Sequence, residues 1–152
     1  MTRSLWIMRH GLAVNEFDSD FNRALSEQGK IQVDNVATQI VNQFERPERM
    51  LVSPFRRTQE TAKIVHQTLQ LTQAFETEDM LVHFGDAKLL GNYLLSIDFD
   101  KVILISHMPI VASLCRYLVA DCDIFGFQTA QAVKLEFCEK NIGKVCNLYL
   151  PE

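Results

Sequence analysis

No apolar stretch among these 152 residues approaches the roughly 20 residues that a bilayer span takes. Nothing ahead of the first predicted strand has the form of a secretory leader, since Leu5 to Met8 is a run of only four apolar residues. A cytoplasmic protein with no membrane partner is therefore expected. Cysteine is sparse as well. Cys115, Cys122, Cys138 and Cys146 form no CxxC pair, so free, reduced thiols are expected rather than a disulfide frame or a thiolate metal site. The four histidines include no i, i+4 pair and no HExxH, which leaves no expectation of a metal cofactor. Basic charge is in deficit: the formal net charge is −4, whereas a nucleic-acid surface is basic. Any anion site must therefore be local and built against the overall sign. Repeats, linkers and low-complexity segments are missing too.

What remains is the composition of an ordinary soluble domain, 47% hydrophobic and 22% charged, long enough to bury a core as one unit, residues 1–152. Leu5-Trp6-Ile7-Met8 reads as a short buried strand. Ser26 reads as a helix N-cap, followed by an apolar stripe of Val33, Val36, Ala37, Ile40, Val41 and Phe44, with Pro47 at or past the helix end. Met50-Leu51-Val52 is a second strand. Ser53-Pro54 reads as a cap with proline at the first helical position, opening a helix that buries Phe55, Thr58, Ala62, Val65 and Leu69. A third helix starts near Gly85-Asp86, with Asp86 as its cap, and carries Leu89, Leu90, Tyr93, Leu94 and Ile97. Val102 to Ile105 reads as a central strand buried on both faces, and Pro109 opens a fourth helix with Val111, Leu114, Cys115 and Leu118. Val133, Leu135 and Phe137, then Leu148 and Leu150, alternate like a closing hairpin. The pattern predicts a single α/β domain with a mostly parallel central sheet flanked by helices.

Three polar segments follow the carboxyl ends of three of these strands: Arg9-His10-Gly11, the run from Ser53 to Thr61, and Ser106-His107-Met108-Pro109. Ligands of open α/β sheets bind just beyond such ends, and the two helix N-termini there would aim N–H groups at the same crevice. Two histidines and several arginines in that place suit transfer of a phosphoryl group onto an imidazole and then to water. The charge spread over phosphoryl oxygens asks mainly for positioning and positive charge. Arg9 and Arg57 are fit to supply it, being planar, permanently charged and able to bind two oxygens at once. His10 would be the nucleophile, neutral at one ring nitrogen and held through the other by a backbone carbonyl. His107 lies where it could donate to the equatorial oxygens.

Arg9-His10-Gly11, the Ser53…Arg57…Thr61 helix start and Ser106-His107-x-Pro109 resemble the signature of the histidine phosphatase superfamily, across essentially the whole chain. The resemblance implies the three-layer phosphoglycerate-mutase-like fold and assigns the catalytic duties to His10, Arg9, Arg57 and His107, with no cofactor. The chain length, Gly11-x-Ala13, Arg23-x-Leu25-Ser26 and Leu51 to Phe55 are similar to phosphohistidine phosphatases of the SixA type. Arg57, four after the serine, fits the family pattern; Arg56 reads as an exposed helix residue. Gly11 is expected to contact substrate. Arg23 sits where SixA-type proteins carry an arginine near the pocket rim and reads either as a substrate contact or as a surface charge. Ser53 reads as a phosphate contact or a helix cap, and Ser106 as support for its turn. His66 reads as a surface residue and His83 as a loop residue.

Many relatives that hydrolyse esters place a glutamate general acid after the third strand. Here that stretch, Glu78 to Asp86, offers no evident acid. An alkoxide leaving group needs a proton in the transition state, whereas imidazole leaves more readily once its far nitrogen is protonated. The expected partner is accordingly a phosphohistidine-bearing protein domain in signalling or phosphotransfer. A small phosphate ester is the alternative substrate, and a non-catalytic phosphate- or phosphoprotein-binding module the alternative class. The short connections predict an open groove, and the apolar Leu12 departs from a position that is often polar in relatives.

Overall fold

The computed structural model describes residues 2–15, 18–82, 84–138 and 141–152. Six strands form one sheet: β1 (Arg3–Arg9), β2 (Arg49–Val52), β3 (Glu76–Thr77), β4 (Lys101–Ser106), β5 (Ala132–Phe137) and β6 (Gly143–Tyr149), in the order β3-β2-β4-β1-β5-β6. The first four positions are parallel; β5 runs antiparallel to β1, and β6 antiparallel to β5. The helices are α1 (Glu27–Val41), α2 (Arg56–Leu69), α3 (Ala87–Ser96) and α4 (Ile110–Leu118), with a short 3-10 turn at Asp79–Leu81.

The central strands alternate between two apolar layers. Leu5, Ile7, Val102 and Leu104 face a core with Leu90, Leu94, Val111 and Leu114 of α3 and α4. Trp6, Met8, Ile103 and Ile105 face Val33, Ala37, Ala62 and Val65 of α1 and α2. A strand covered on both faces has no polar side to show, which is why β1 and β4 read as continuous apolar runs. Each such side chain, fully removed from water, contributes roughly 1.5–3 kcal/mol. The three-layer mixed α/β architecture is the one expected.

Several local expectations change. Phe44 does not extend the α1 stripe, because the helix ends at Asn42 and Phe44 is fully exposed. Ser53 is not a helix cap: α2 begins at Arg56 with Phe55 in the cap position and no side-chain cap bond. On α3 the core side belongs to Leu90 and Leu94, and Leu89 points to solvent. In the closing hairpin Tyr149 pairs with Ala132 over the α1–α2 core, whereas Leu148, opposite Val133 in the outermost strand, stays half exposed and Leu150 lies beyond the strand. Ser26 and Asp86 do cap their helices, accepting from Gly29 N–H and from the Lys88 and Leu89 N–H groups.

Candidate active site

His10 follows directly from β1, pinned through its backbone at both sides: its N–H donates to Ser106 O at the end of β4, and its carbonyl accepts from Ala130 N–H. The ring is 7% exposed. Nδ1 lies 2.7 Å from Gly11 O, and Arg57 Nε–H donates to Nε2 at 3.3 Å. An arginine only donates and a carbonyl only accepts, so the proton resides on Nδ1 and Nε2 presents a lone pair. Burial pushes the ring pKa down to about 3, and the charges of Arg57, Arg9 and Arg23 push the same way, against the Gly11 carbonyl. His10 is thus a neutral imidazole with its bare nitrogen facing a guanidinium.

The cationic walls are Arg9 and Arg57. Arg9 leaves the end of β1 and donates through Nη1 to Phe127 O at 2.7 Å; its buried Nε has no hydrogen-bond partner among the described residues. Arg57, in the first turn of α2, is 5% exposed, and its guanidinium lies 5.0 Å over the Phe55 ring. Burial lowers the pKa of both guanidiniums; the charge of Arg57 adds to the effect on Arg9, and Arg23 adds to that on Arg57 while Asp20 opposes it. Like charges gathered in a buried pocket and only partly offset by Asp20 form a place where a phosphoryl group would be favourable.

His107 follows β4 and is fully buried, its ring centroid 5.4 Å from that of His10 and 4.9 Å from Phe55. Its Nε2 shares a 2.7 Å hydrogen bond with Ser53 Oγ. Ser53, at the end of β2, therefore orients His107 instead of capping α2. Ser106 Oγ donates to Leu81 O and secures the turn, as expected. The fold thus draws His10, Arg9, Arg57, His107 and Ser53 from three strand ends into one cluster.

Other expected residues stand differently. Both backbone groups of Gly11 are taken within the protein: the N–H donates to Thr61 Oγ1 at 3.1 Å, and the carbonyl holds His10. A Cβ there would come 2.7 Å from Val33 Cγ2, so Gly11 permits the close approach of α1. Arg23 donates through Nε to Val14 O at 3.0 Å and lies 3.7 Å from Asp20 Oδ1, a step back from His10. Arg56 is exposed and paired with Glu60 at 3.1 Å. Its N–H goes to Phe21 O, so the α2 N-terminus serves the neighbouring turn with its first donor. His66 joins Gln73 O at 2.7 Å, far along α2, and His83 lies outside the described residues. Asp86 is occupied as a cap, and no described hydrogen bond ties Glu78 or Asp79 to the cluster. Among the described residues no group of three or more His, Cys, Asp or Glu could hold a metal.

Two residues gain parts that the sequence reading did not assign. Thr61 Oγ1 accepts from Gly11 N–H and donates to Arg57 O at 2.7 Å. Its position four residues after Arg57 puts it on the same helix face, a signal that was present. Asp20 accepts from Arg57 three times: at its backbone oxygen from Nη1 (2.9 Å), at Oδ1 from Nη1 and at Oδ2 from Nη2 (both 3.4 Å). Nothing in the local sequence marks it.

A neutral histidine just beyond the first strand, with an arginine from the end of that strand, a second from the first turn of α2 and a second histidine after β4, defines a phosphoryl-handling class of site. A family model for the histidine phosphatase superfamily (branch 1) matches residues 5–90, over half of the chain, and the chain belongs to that superfamily. Within it, the chain is 35% identical over 120 residues to phosphohistidine phosphatase SixA of Escherichia coli, covering 77% of this chain and 72% of that protein. A SixA homolog from Haemophilus influenzae is 29% identical over 145 residues, 87% of each. The solved structure of the protein histidine phosphatase SixA complexed with tungstate matches with a TM-score of 0.92 at 30% identity over 97% of both chains.

Proposed function

We propose that this protein is a metal-independent phosphatase that accepts a phosphoryl group on His10 Nε2 and passes it to water, with phosphohistidine on a protein domain as its preferred substrate. One observation carries the reading. His10 is locked as the Nδ1–H tautomer, and its unprotonated Nε2 is aimed at the Arg57 guanidinium. An imidazole kept neutral at neutral pH by burial is a ready nucleophile.

In the first step the Nε2 lone pair attacks phosphorus in line with the leaving group. Arg9, Arg57 and His107 hold the equatorial oxygens, where charge is spread in the transition state. As Nε2 bonds to phosphorus the ring becomes cationic, and the Gly11 carbonyl, already hydrogen-bonded to Nδ1–H, is placed to stabilise it. In the second step water attacks phospho-His10 and the bond electrons return to Nε2. Preference for phosphohistidine is supported by the 35% identity to SixA of Escherichia coli and by the carboxylates of residues 78–86: Asp86 is spent on a helix cap, and no described bond brings Glu78 or Asp79 to the site. Without a proton donor, an alkoxide is a poor leaving group and a protonated imidazole a good one. The proposed setting is the cytoplasm; no described helix is long and apolar enough to cross a membrane.

The test is a paired turnover assay of wild type and His10→Ala on a phosphohistidine-bearing domain and on phosphate monoesters, with EDTA present. Fast, His10-dependent loss of phosphohistidine with slow ester hydrolysis is expected. Efficient ester turnover would move the substrate to small metabolites, and inhibition by EDTA would require a metal.

A further inference from the structure

The site holds one charge that phosphate binding does not call for. Asp20 brings a carboxylate against Arg57 on the side away from His10: Arg57 Nε faces the nucleophile, and Nη1 and Nη2 face Asp20. Arg23 Nη1 approaches the same carboxylate at 3.7 Å. The turn that carries Asp20 is built, not loosely draped. Asn22 N–H donates to Ser19 O, and Phe21 O accepts from Arg56 N–H at the head of α2. The Phe21 ring packs 4.9 Å from Phe55, which itself lies against Arg57 and His107. The Asp20 side chain is 49% exposed, whereas that of Arg57 is 7% exposed, so Asp20 lies on the solvent side of Arg57.

A carboxylate on the solvent side of a phosphate cradle opposes every dianion that enters. Beyond holding Arg57, it is useful to substrate selection where another part of the substrate brings positive charge. A simple ester such as phenyl phosphate has none: its leaving oxygen gains negative charge in the transition state. A phosphoimidazole protonated on its far nitrogen has a cationic ring and an N–H donor, and in an in-line reaction that ring lies on the side of phosphorus away from His10. We infer that Asp20 is the specificity-determining residue of this site, its carboxylate selecting a phosphoryl donor whose leaving group is a protonated imidazole over a phosphate ester. The inference rests on the phosphohistidine reading above and deepens it.

The step balances without a general acid. The His10 Nε2 lone pair forms the new bond to phosphorus, and the electrons of the breaking P–N bond stay on the departing nitrogen. The proton already on the far nitrogen remains there, so the substrate histidine leaves neutral. Asp20 accepts the hydrogen bond of that far N–H and keeps the ring protonated while the bond breaks; it takes no proton.

The experiment compares kcat/KM of wild type, Asp20→Asn and Asp20→Glu on a phosphohistidine-bearing domain and on phenyl phosphate. Asp20→Asn keeps the shape and removes the charge. Its phosphohistidine rate is expected to fall about tenfold or more while the ester rate rises, since an unfavourable charge is gone. Asp20→Glu, which restores the charge, is expected to keep the substrate ratio within about threefold of wild type. Parallel loss on both substrates in Asp20→Asn would mean that Asp20 merely holds Arg57 and would overturn the inference, as would an unchanged ratio. The wild-type ratio is read first. Wild type that prefers phenyl phosphate removes the phosphohistidine reading and the inference with it, whereas wild type that prefers phosphohistidine beside an unresponsive Asp20→Asn removes the inference alone.

Discussion

At the scale of single residues, His10 couples chemistry to stability. Its folded-state pKa is about 3, against roughly 6.5 in an unfolded chain. Between those values the unfolded state binds more protons than the folded one, so stability rises with pH there. The contribution is fully present above about pH 6.5 and is lost as the pH falls toward 3. Denaturant titrations at pH 7 and pH 4 should show wild type losing more stability than His10→Asn, by an amount on the order of 3 kcal/mol. Equal losses would mean that the ring is not held neutral. The paired arginines give a second contrast. Arg57 is buried against His10 and Asp20, whereas Arg56 shares an exposed ion pair with Glu60. Arg57→Ala should lower kcat/KM by about a hundredfold or more, the scale of losing a preorganised charged donor. Arg56→Ala should cost at most about twofold, the scale of an exposed pair. The reverse order would displace the whole assignment along α2. Both arginines were visible in the sequence, but only the helix start at Arg56 makes one face inward and the next outward.

At the scale of elements, the strand end that carries His10 depends on a tight crossing with α1. A Cβ added to Gly29 would lie 2.1 Å from Leu12 O and 2.9 Å from Leu12 N, backbone atoms that cannot turn away. Ser26 closes the same joint: its Oγ accepts from Gly29 N–H and donates to Leu12 O, each at 2.9 Å. Gly29→Ala should therefore destabilise by about 2 kcal/mol or more through forced backbone movement. Ser26→Ala should cost about 1 kcal/mol, the scale of a lost cap. In thermal melts the glycine variant should fall further and lose more turnover than the serine variant, because its clash lands two residues from His10. The helices were legible because their apolar residues recur at a clear period, as Val33, Val36, Ala37 and Ile40 do on α1, and the central strands because theirs run without interruption, as Val102 to Ile105 do on β4. Ends were less so. Phe44 continues the α1 period past the point where the helix stops, and periodicity alone does not mark a stop. Ser53-Pro54 has the chemistry of a cap, yet Ser53 is drawn to His107 across 54 positions of sequence, a claim no local rule contains.

At the scale of the whole molecule, an acidic chain concentrates positive charge where its parallel strands end. The histidines and arginines of the site were legible because each follows an apolar run that had to be a strand, and strand ends of a parallel sheet converge. Asp20 was not, since its meeting with Arg57 depends on how residues 18–23 fold back over α2, and that path has no period or spacing to read. The convergence itself has a consequence for stability. Arg9 and Arg57 are both lowered by burial, and the charge of Arg57 adds to the effect on Arg9, so the folded chain carries a like-charge repulsion at the site that the unfolded chain does not. A tetrahedral or near-tetrahedral oxyanion would relieve it, binding the folded chain and not the unfolded one. Tungstate or orthovanadate at about 100 times its Kd should then stabilise the protein by about 2.7 kcal/mol, a rise of several degrees in Tm. Sodium chloride at the same ionic strength should give a much smaller shift, because screening lacks the geometry of a bidentate contact. Arg57→Ala should lose most of the oxyanion response while Arg56→Ala keeps it. An equal response in both variants would place the anion elsewhere on the surface and separate the charge cluster from phosphate binding.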